Sequence, residues 1–194
     1  MSTKNYFIKE GYSPRLNNKF FDDTALTDSW QKEVYFFAKK VAVENNFTKI
    51  LDIGTGSAYK LIYNFSEFDT LGIDLPPTVA WLNEKYPHRK WTDSFTPVQG
   101  YDLAIASDVI EHLPDPDILL DLIENSKPKL IVLSTPDRDL LQRTPDGPPK
   151  NPAHVREWTS PEFYSYIDSR FEVLDHFISN KSQCTQTLLA RLRK

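Results

Sequence analysis

Two acidic residues and a pair of glycines fall at spacings that suit a nucleoside-containing ligand. The segment Leu51–Ala58 has the pattern of a strand end, a tight glycine turn and a helix start. Glycines in such a turn let a ligand approach the backbone, and a helix N-terminus offers free N–H groups. Asp74 follows Asp52 by 22 residues, at the end of the next predicted strand. A carboxylate there can accept hydrogen bonds from ribose hydroxyls, so a nucleoside site is predicted at the carboxyl ends of the strands.

The charge at the turn favours one kind of nucleoside. Asp52 stands two residues before Gly54, where a carboxylate would repel the diphosphate of a dinucleotide. S-adenosylmethionine instead carries an ammonium and a sulfonium, which an anion attracts. Tyr59 also occupies the third glycine position of G-x-G-x-x-G. We therefore predict that S-adenosylmethionine is the cofactor and that the turn and strand ends bind it through Asp52, Gly54, Thr55, Gly56 and Asp74.

A second polar segment, Ser107–His112, follows the predicted fourth strand. Its place in the chain puts it beside the methionine arm and methyl group of the cofactor. Asp108 has the alternative of capping a helix, and Glu111 has the alternative of lying in solvent. The sequence alone leaves these alternatives open.

Histidines are the candidate catalytic residues. If the methyl group of the cofactor is transferred to a hydroxyl oxygen of a second substrate, the acceptor, that hydroxyl needs a base that titrates near neutral pH. His154 lies in a proline-rich loop and ranks first, since a loop from the far wall can reach the acceptor hydroxyl. His112 ranks second and is expected to pack beneath the site. Arg156 and Trp158 either bind an acidic or sugar-like acceptor or anchor the loop. No group of His, Cys, Asp and Glu has metal-ligand spacing, and no G-x-S-x-G motif occurs, so we predict neither a metal site nor a serine hydrolase.

Apolar patterning predicts alternating strands and helices. Short, nearly all-apolar strands separated by helices indicate a parallel sheet buried on both faces. The last two strands are separated by too few residues for a parallel crossover, so they should pair antiparallel. The predicted helices are 28–44, 57–65, 78–86, 117–124 and one starting at the 159–162 capping box, and the strands are 49–53, 70–73, 91–93, 103–107, 130–134, 171–179 and 187–192. Residues 136–161 should form a long irregular loop of the kind that is usually functional.

Composition narrows the class of protein. The chain has 194 residues and a net charge of −4, which suits a single domain and offers no broad cationic surface for nucleic acid. The longest apolar run, Val34–Ala38, is far too short to span a bilayer, and the N-terminus lacks a secretory signal pattern. A lone cysteine, Cys184, suits a reducing compartment. We expect a cytoplasmic protein without membrane or nucleic-acid partners.

From Lys49 onward the chain resembles the class I S-adenosylmethionine-dependent methyltransferases, in particular those acting on small molecules or sugars. The motifs that carry the resemblance are the glycine turn 51–56, Gly72–Asp74, Thr92–Phe95, Tyr101–Leu113 and Pro128–Pro136. The chain departs from many members at Ser57-Ala58, where they have a third glycine. The resemblance implies an α/β, Rossmann-like doubly wound sheet of about seven strands, mostly parallel, with an antiparallel C-terminal pair. It also implies further cofactor-binding residues, namely Leu75, Asp93, Ser94, Ser107 and Asp108.

The resemblance implies transfer of a methyl group to an oxygen or nitrogen of a small-molecule or glycan-like acceptor. We expect one domain over residues 1–194, in which 1–46 form an N-terminal cap and 136–160 an acceptor-side loop. Trp30 and Gln31 are expected in a wall of the acceptor pocket. Two alternatives stay open: a noncatalytic S-adenosylmethionine-binding or adaptor protein, and an NAD(P)-dependent reductase. The acceptor, the methylated atom and the oligomeric state, a homodimer included, are not given by the sequence.

Overall fold

A single sheet of seven strands organises the computed structural model, which describes residues 4–141 and 144–193. The strands are β1 (Lys49–Ile53), β2 (Asp69–Ile73), β3 (Lys90–Thr92), β4 (Leu103–Ser107), β5 (Leu130–Pro136), β6 (Phe171–Asn180) and β7 (Thr185–Leu192). Their order is β3-β2-β1-β4-β5-β7-β6. The pairs from β3 to β5 are parallel, and β7 is antiparallel to both β5 and β6. The predicted fold class is confirmed.

The central strand β4 shows why the strands are apolar at almost every position. All five of its residues are buried. Leu103 and Ile105 pack into the apolar cluster that contains the first helix, whereas Ala104 and Ala106 pack into the cluster on the opposite face. Because neighbouring side chains of a strand point to opposite faces, a sheet covered on both sides needs apolar residues throughout.

The helices are α1 (Lys32–Glu44), α2 (Tyr59–Asn64), α3 (Pro76–Lys85), α4 (Asp117–Ser126), α5 (Arg138–Leu141) and α6 (Ser160–Asp168). Helices α1 and α2 begin later than predicted, because Gln31 and Ala58, the residues just before their first turns, adopt left-handed backbone conformations. The predicted capping box of α6 is confirmed: the Thr159 hydroxyl accepts from the Glu162 N–H, and the Glu162 carboxylate accepts from the Thr159 N–H. The loop predicted over 136–161 differs in containing the short helix α5.

The order of the strands creates a crevice at one edge of the sheet. From β1 the chain proceeds outward to β2 and β3, and then returns to place β4 on the other side of β1. Ligands of open α/β sheets bind at the carboxyl ends of the strands where the order reverses in this way. Among the described residues, no helix is long and apolar enough to cross a membrane.

The N-terminal segment lies against the loop that precedes α6. The backbone N–H groups of Ser13, Arg15 and Lys19 donate to carbonyls at Asp146, Val155 and Pro152, respectively, at 2.7–2.8 Å. The Asn18 side chain adds bonds to the carbonyls of His112 and Ala153. Residues 4–31 contain no helix or strand, and these bonds give the segment a fixed path across the crevice.

Candidate active site

A cavity of about 820 Å³ opens at the carboxyl ends of β1, β2 and β4. This volume is within the range of ligand pockets, roughly 300–1,000 Å³. Its walls are the glycine turn, the end of β2, the segment after β4, residues 18–31 and part of the loop before α6. Trp30 and Gln31 lie in the wall, as expected. Of the residues predicted from the sequence, the cavity is lined by Gly54, Thr55, Asp74, Leu75, Ser107, Asp108, His112 and His154.

The glycine turn after β1 requires glycine at two positions. Gly54 has a φ of +73°, and a Cβ built there would lie 2.3 Å from a methyl carbon of Val109. Gly56 has a φ of +52°, and a Cβ there would lie 1.9 Å from the carboxylate of Asp23. Side chains at these positions would be strained by the backbone and would collide with their neighbours. Gly54 lines the cavity, whereas Gly56 is covered by the N-terminal segment.

Asp52 is fully buried and does not line the cavity. Both carboxylate oxygens accept from the Tyr35 hydroxyl at 3.1 Å, and one also accepts from the Thr55 hydroxyl at 2.7 Å. Burial raises the pKa of Asp52 to about 6, against the effect of these hydrogen bonds. The expectation of direct cofactor contact is therefore corrected. Asp52 uses its oxygens to hold Tyr35 and Thr55, both of which do line the cavity.

Asp74 lies at the end of β2 with its carboxylate between two backbone amides. The Gly56 N–H and the Leu75 N–H each donate to one of its oxygens at 2.7 Å. Burial raises the pKa of Asp74, and the two amides act in the opposite direction. Each carboxylate oxygen can accept more than one hydrogen bond, so Asp74 keeps acceptor capacity toward the cavity.

A further carboxylate comes from the N-terminal segment. Asp23 lines the cavity, and its pKa is raised to about 6 by burial and then by the nearby Asp74. Lys60 has the opposite effect on that pKa, and its own pKa is lowered by burial. No periodic pattern surrounds residue 23 in the sequence, so nothing marked Asp23 as part of the site.

Asp93 and Ser94 do not line the cavity, in contrast to the prediction from the third motif. Both are exposed, and the Ser94 hydroxyl pairs with Thr96 in a local turn after β3. Phe95, the next residue, reaches the cavity instead, together with Leu75. The turn at residues 92–96 therefore presents an aromatic ring where an acid was expected.

Asp108 is held in the wall by the end of β5. Its φ is +53°, and its backbone N–H donates to the Ser134 hydroxyl at 3.1 Å. The same hydroxyl donates to the Asp108 carboxylate at 2.5 Å, and Ser107 contacts it from the side. Burial raises the pKa of Asp108. The alternative of a helix cap is not seen, because no helix N–H among the described residues donates to this carboxylate.

Glu111 is completely buried, so the alternative of a solvated side chain is wrong. One carboxylate oxygen accepts from the Thr135 hydroxyl at 3.0 Å. The other, Oε1, has no hydrogen-bond partner among the described residues. Burial raises the pKa of Glu111 well above its ordinary value, and Asp108 raises it further.

The two candidate catalytic histidines are in contact. Their rings pack edge to face with centroids 4.9 Å apart. In His112, Nδ1 lies 3.0 Å from the carbonyl oxygen of Ala153. A carbonyl only accepts, so Nδ1 carries the proton and Nε2 carries the lone pair. Burial, and after it the nearby His154, lower the pKa of His112 to about 4.

His154 is buried rather than exposed on a covering loop. Its Nδ1 lies 2.8 Å from the Glu157 carboxylate, and its Nε2 lies 2.9 Å from the side-chain nitrogen of Asn151. The Asn151 amide is oriented by the Ala153 N–H, which donates to its oxygen. Its NH₂ group therefore faces His154, whose Nε2 accepts that bond. Both ring nitrogens are engaged, which does not fit the predicted role of acceptor-side base.

The structure brings His154 to the adjacent residues Glu111 and His112, a cluster that the position of His154 in the sequence does not indicate. Ligand atoms of Glu111, His112 and His154 all lie within 4.8 Å of one another. The prediction that no metal-ligand group exists rested on sequence spacing alone, and the contact of His154 with the other two residues arises only in the folded chain. Glu157 and Asn151, which orient His154, were not predicted either.

Arg156 and Trp158 anchor the loop and do not line the cavity. The Arg156 guanidinium donates to the carbonyls of Leu113 and Pro114, and it lies over the Tyr6 ring at 4.5 Å. The Trp158 indole N–H donates to the carbonyl of Tyr6. Of the two alternatives for this pair, the structure supports the anchoring role.

Solved structures of methyltransferases share this fold. One is a Burkholderia thailandensis 1,6-didemethyltoxoflavin-N1-methyltransferase, 20% identical, with a TM-score of 0.64 over 86% of this chain and 82% of that chain. A SAM-dependent methyltransferase from Aquifex aeolicus is 17% identical, with a TM-score of 0.65 over 90% and 100% of the two chains. The N-methyltransferase NodS from Bradyrhizobium japonicum WM9 is 12% identical, with a TM-score of 0.66 over 89% and 95%.

A search of curated proteins gives no match to this chain. The sequence profile of a family described as "Methyltransferase domain" matches residues 23–182. This region includes the glycine turn, the strands β1 to β6 and every cavity residue from Asp23 to Ser182. The chain therefore belongs to this methyltransferase-domain family, as an enzyme of the S-adenosylmethionine-dependent class predicted from its motifs.

Proposed function

We propose that the protein transfers a methyl group from S-adenosylmethionine to an oxygen or nitrogen of a small-molecule acceptor. One observation carries the proposal: the wall beside the glycine turn presents the carboxylates of Asp23, Asp74 and Asp108 to one cavity. Anionic groups in a low-dielectric wall favour a cationic ligand. S-adenosylmethionine is such a ligand, and its ribose suits the acceptor capacity of Asp74.

The same wall argues against a dinucleotide. A diphosphate needs free backbone N–H groups and no competing anion. Here the Gly56 N–H donates to Asp74, and the Gly54 N–H donates to the Ile73 carbonyl at 2.8 Å. The Asp23 carboxylate also covers Gly56. The residues therefore fit S-adenosylmethionine better than NAD(P).

Two of the similar methyltransferases support a small acceptor while leaving the methylated atom open. One is an N1-methyltransferase with bound 1,6-didemethyltoxoflavin and S-adenosylhomocysteine, and the other is the mitomycin 7-O-methyltransferase MmcR. Methylation of nitrogen and of oxygen thus both occur on this fold. In this chain the enclosing N-terminal segment, with Phe20, Phe21 and Trp30 in the wall, favours a small acceptor over a macromolecular one.

When bound, the cofactor supplies a methyl group attached to a positively charged sulfur. The residues of the chain then have three tasks. The acidic wall binds the cationic ligand, Asp74 accepts hydrogen bonds, and the N-terminal segment excludes water from the cavity. Catalysis of this kind depends mainly on holding the reacting groups in line in a dry site.

His112 is the proposed proton acceptor on the acceptor side. Its pKa of about 4 lies below the near-neutral range expected of such a base, but it keeps the ring unprotonated, and so able to accept a proton, at pH 7. Its Nδ1–H is fixed on the Ala153 carbonyl, and its Nε2 has no hydrogen-bond partner among the described residues. His154 has both nitrogens engaged and is proposed to position His112 through the ring contact at 4.9 Å. This reverses the ranking of the two histidines from the sequence.

We also propose that residues 1–194 act as one methyltransferase domain, with 1–46 as a cap and 136–160 as the acceptor-side loop. The backbone bonds between residues 13–19 and 146–155 support this division. They join the two segments over the cavity, so cap and loop would form a single wall around the acceptor.

Calorimetric titration with S-adenosylhomocysteine and NAD⁺ tests the cofactor part of the proposal, and tight binding of NAD⁺ alone would contradict it. A screen of phenols, amines, glycans, proteins and nucleic acids with methyl-labelled S-adenosylmethionine tests the acceptor part. Label transfer to a member of one class identifies the acceptor chemistry. Transfer only to proteins or nucleic acids would reject a small acceptor.

A further inference from the structure

Glu111, His112 and His154 form a compact group of potential ligands at the acceptor end of the cavity. Atoms that could bind a metal lie within 4.8 Å of one another, one from each residue. Glu111 and His112 come from the segment after β4, and His154 comes from the loop before α6. Glu111 and His154 are buried, and all three line the cavity.

The buried carboxylate of this group has an unused oxygen. Oε2 of Glu111 accepts from Thr135, whereas Oε1 has no partner among the described residues. Buried polar atoms are nearly always paired, with protein, water or an ion. An unpaired carboxylate oxygen beside two imidazoles is the environment in which a cation would complete the hydrogen bonding and neutralise the charge.

The histidines are oriented as metal ligands usually are. Such a histidine donates one ring N–H to a carbonyl or carboxylate, which fixes the ring and leaves the other nitrogen for the metal. His112 donates Nδ1–H to the Ala153 carbonyl, and His154 donates Nδ1–H to the Glu157 carboxylate. In both rings Nε2 therefore carries the lone pair.

We propose that Glu111, His112 and His154 bind one divalent transition-metal ion, whose open positions face the acceptor side of the cavity. Two imidazoles and one carboxylate suit Mn²⁺, Fe²⁺, Co²⁺ or Zn²⁺ better than Mg²⁺ or Ca²⁺, which prefer all-oxygen sites. The inference deepens the proposed function, because an ion at this place would hold an acceptor through its oxygen atoms. Acceptors with adjacent oxygens, such as diols or catechols, are then the favoured class.

One contact must change when the ion binds. The Asn151 NH₂ group now donates to Nε2 of His154, and the same lone pair is needed for the metal. Rotation of the Asn151 side chain would free Nε2 and bring an amide oxygen toward the ion. The lone pair of His112 likewise cannot hold a proton and a metal together, so with the ion bound His112 acts as a ligand and not as a base.

Titration of the metal-free protein with Co²⁺ tests the site directly. The d–d absorption of Co²⁺ shifts and intensifies when protein ligands replace water, and calorimetry gives stoichiometry and affinity. We expect one Co²⁺ per chain in the unaltered protein. Glu111→Gln and His112→Ala should each weaken binding at least about tenfold, whereas the exposed controls Glu84→Gln and His88→Ala should not. Absence of this spectral change, or equal affinity in all four variants, overturns the proposal.

Glu157→Gln adds a variant that leaves all three ligands in place. Loss of the carboxylate that orients His154 should weaken Co²⁺ binding by about 10–100-fold. Binding of S-adenosylhomocysteine checks that each variant is folded, and a variant that fails this check is replaced by Asn151→Asp, which should tighten Co²⁺ binding by adding an anionic ligand. Unchanged affinity in Asn151→Asp counts against the site.

The metal titration needs neither cofactor nor acceptor, so its result is independent of the proposed function. Bound Co²⁺ with no methyl transfer to any small acceptor would reject the proposed function and leave the metal site standing. Methyl transfer that persists after chelation, in a protein without Co²⁺ binding, would reject the metal site alone.

Discussion

The two ends of the cavity are constructed differently. At the cofactor end, the glycine turn and Asp74 follow directly from the ends of β1 and β2, which are paired in register from Lys49 to Ile53. At the acceptor end, His112 and Ala153 are joined by a hydrogen bond although 41 residues separate them in sequence. The first arrangement is fixed by adjacent strands of the sheet, and the second by contacts between loops. We therefore expect substitutions at the cofactor end to affect ligand affinity and those at the acceptor end to affect turnover.

The largest effect is expected for Gly54→Val. The φ of +73° strains any side chain, and the new Cβ would collide with Val109 beside the cavity. Calorimetry should detect no binding of S-adenosylhomocysteine. Gly100→Val is the matched control, since Gly100 also has a positive φ, of +90°, but nothing within 4 Å of a Cβ. If Gly54→Val keeps its affinity, the turn is not the cofactor site.

The second-largest effect is expected for His112→Gln, at the acceptor end of the cavity. His112→Gln should lower turnover about 10²–10⁴-fold, because the proposed proton acceptor is lost, while cofactor affinity stays the same. His154→Gln should have a smaller effect, since its nitrogens already bond to Glu157 and Asn151. Initial rates with labelled cofactor are measured with and without a chelator: loss of a base lowers the rate in both conditions, whereas loss of a metal ligand lowers it only without the chelator. A larger loss in His154→Gln would restore the ranking expected from the sequence.

The same contrast explains how much of the molecule the sequence could predict. The sheet and the cofactor turn are encoded locally, by apolar strands and by the glycines and Asp74 at their ends. The pairing of Glu111 with two histidines is not, because it depends on how the loop before α6 folds back onto the segment after β4. The sequence did not reveal Asp23 for a related reason: Asp23 belongs to a segment without periodic pattern, which is held in place by bonds to distant loops, both from its backbone and from side chains such as that of Asn18.

A moderate effect is expected for Asp74→Ala. Loss of hydrogen bonds to a charged acceptor should weaken cofactor binding by roughly 1–3 kcal/mol. Asp74 also accepts from two backbone amides, so some stability should be lost as well. Asp102→Ala is the matched control, because Asp102 likewise accepts from two amides, those of Thr48 and Lys49, but lies away from the cavity. Equal cofactor affinity in the two variants would make Asp74 purely structural.

The smallest effect is expected for Asp23→Asn, and it depends on pH. The pKa of Asp23 is about 6 in the folded protein because of burial and of Asp74, whereas the ordinary value is 3.8. Between about pH 4 and 6 the folded state therefore holds a proton that the unfolded state has released, and the free energy of unfolding falls as pH rises. Above pH 6 the Asp23 carboxylate is ionised in the folded protein, which then bears the full cost of burying that charge. Asp23→Asn should therefore stabilise the ligand-free protein at pH 7, by about 1 kcal/mol after allowance for solvent screening.

The same substitution should stabilise the ligand-free protein but weaken cofactor binding. An ionised Asp23 favours a cationic cofactor, so at pH 7 Asp23→Asn should weaken S-adenosylmethionine binding by about fivefold, equivalent to about 1 kcal/mol. Denaturant unfolding and calorimetry at pH 4, 5, 6 and 7 measure both quantities. Asp22→Asn, one residue away with an exposed carboxylate, controls for a change of net charge. Because Asp52 also has a pKa of about 6, only the difference between the unaltered protein and the Asp23 variant isolates the residue. Loss of stability together with unchanged affinity would place Asp23 in the structure of the N-terminal segment and not in the cofactor site.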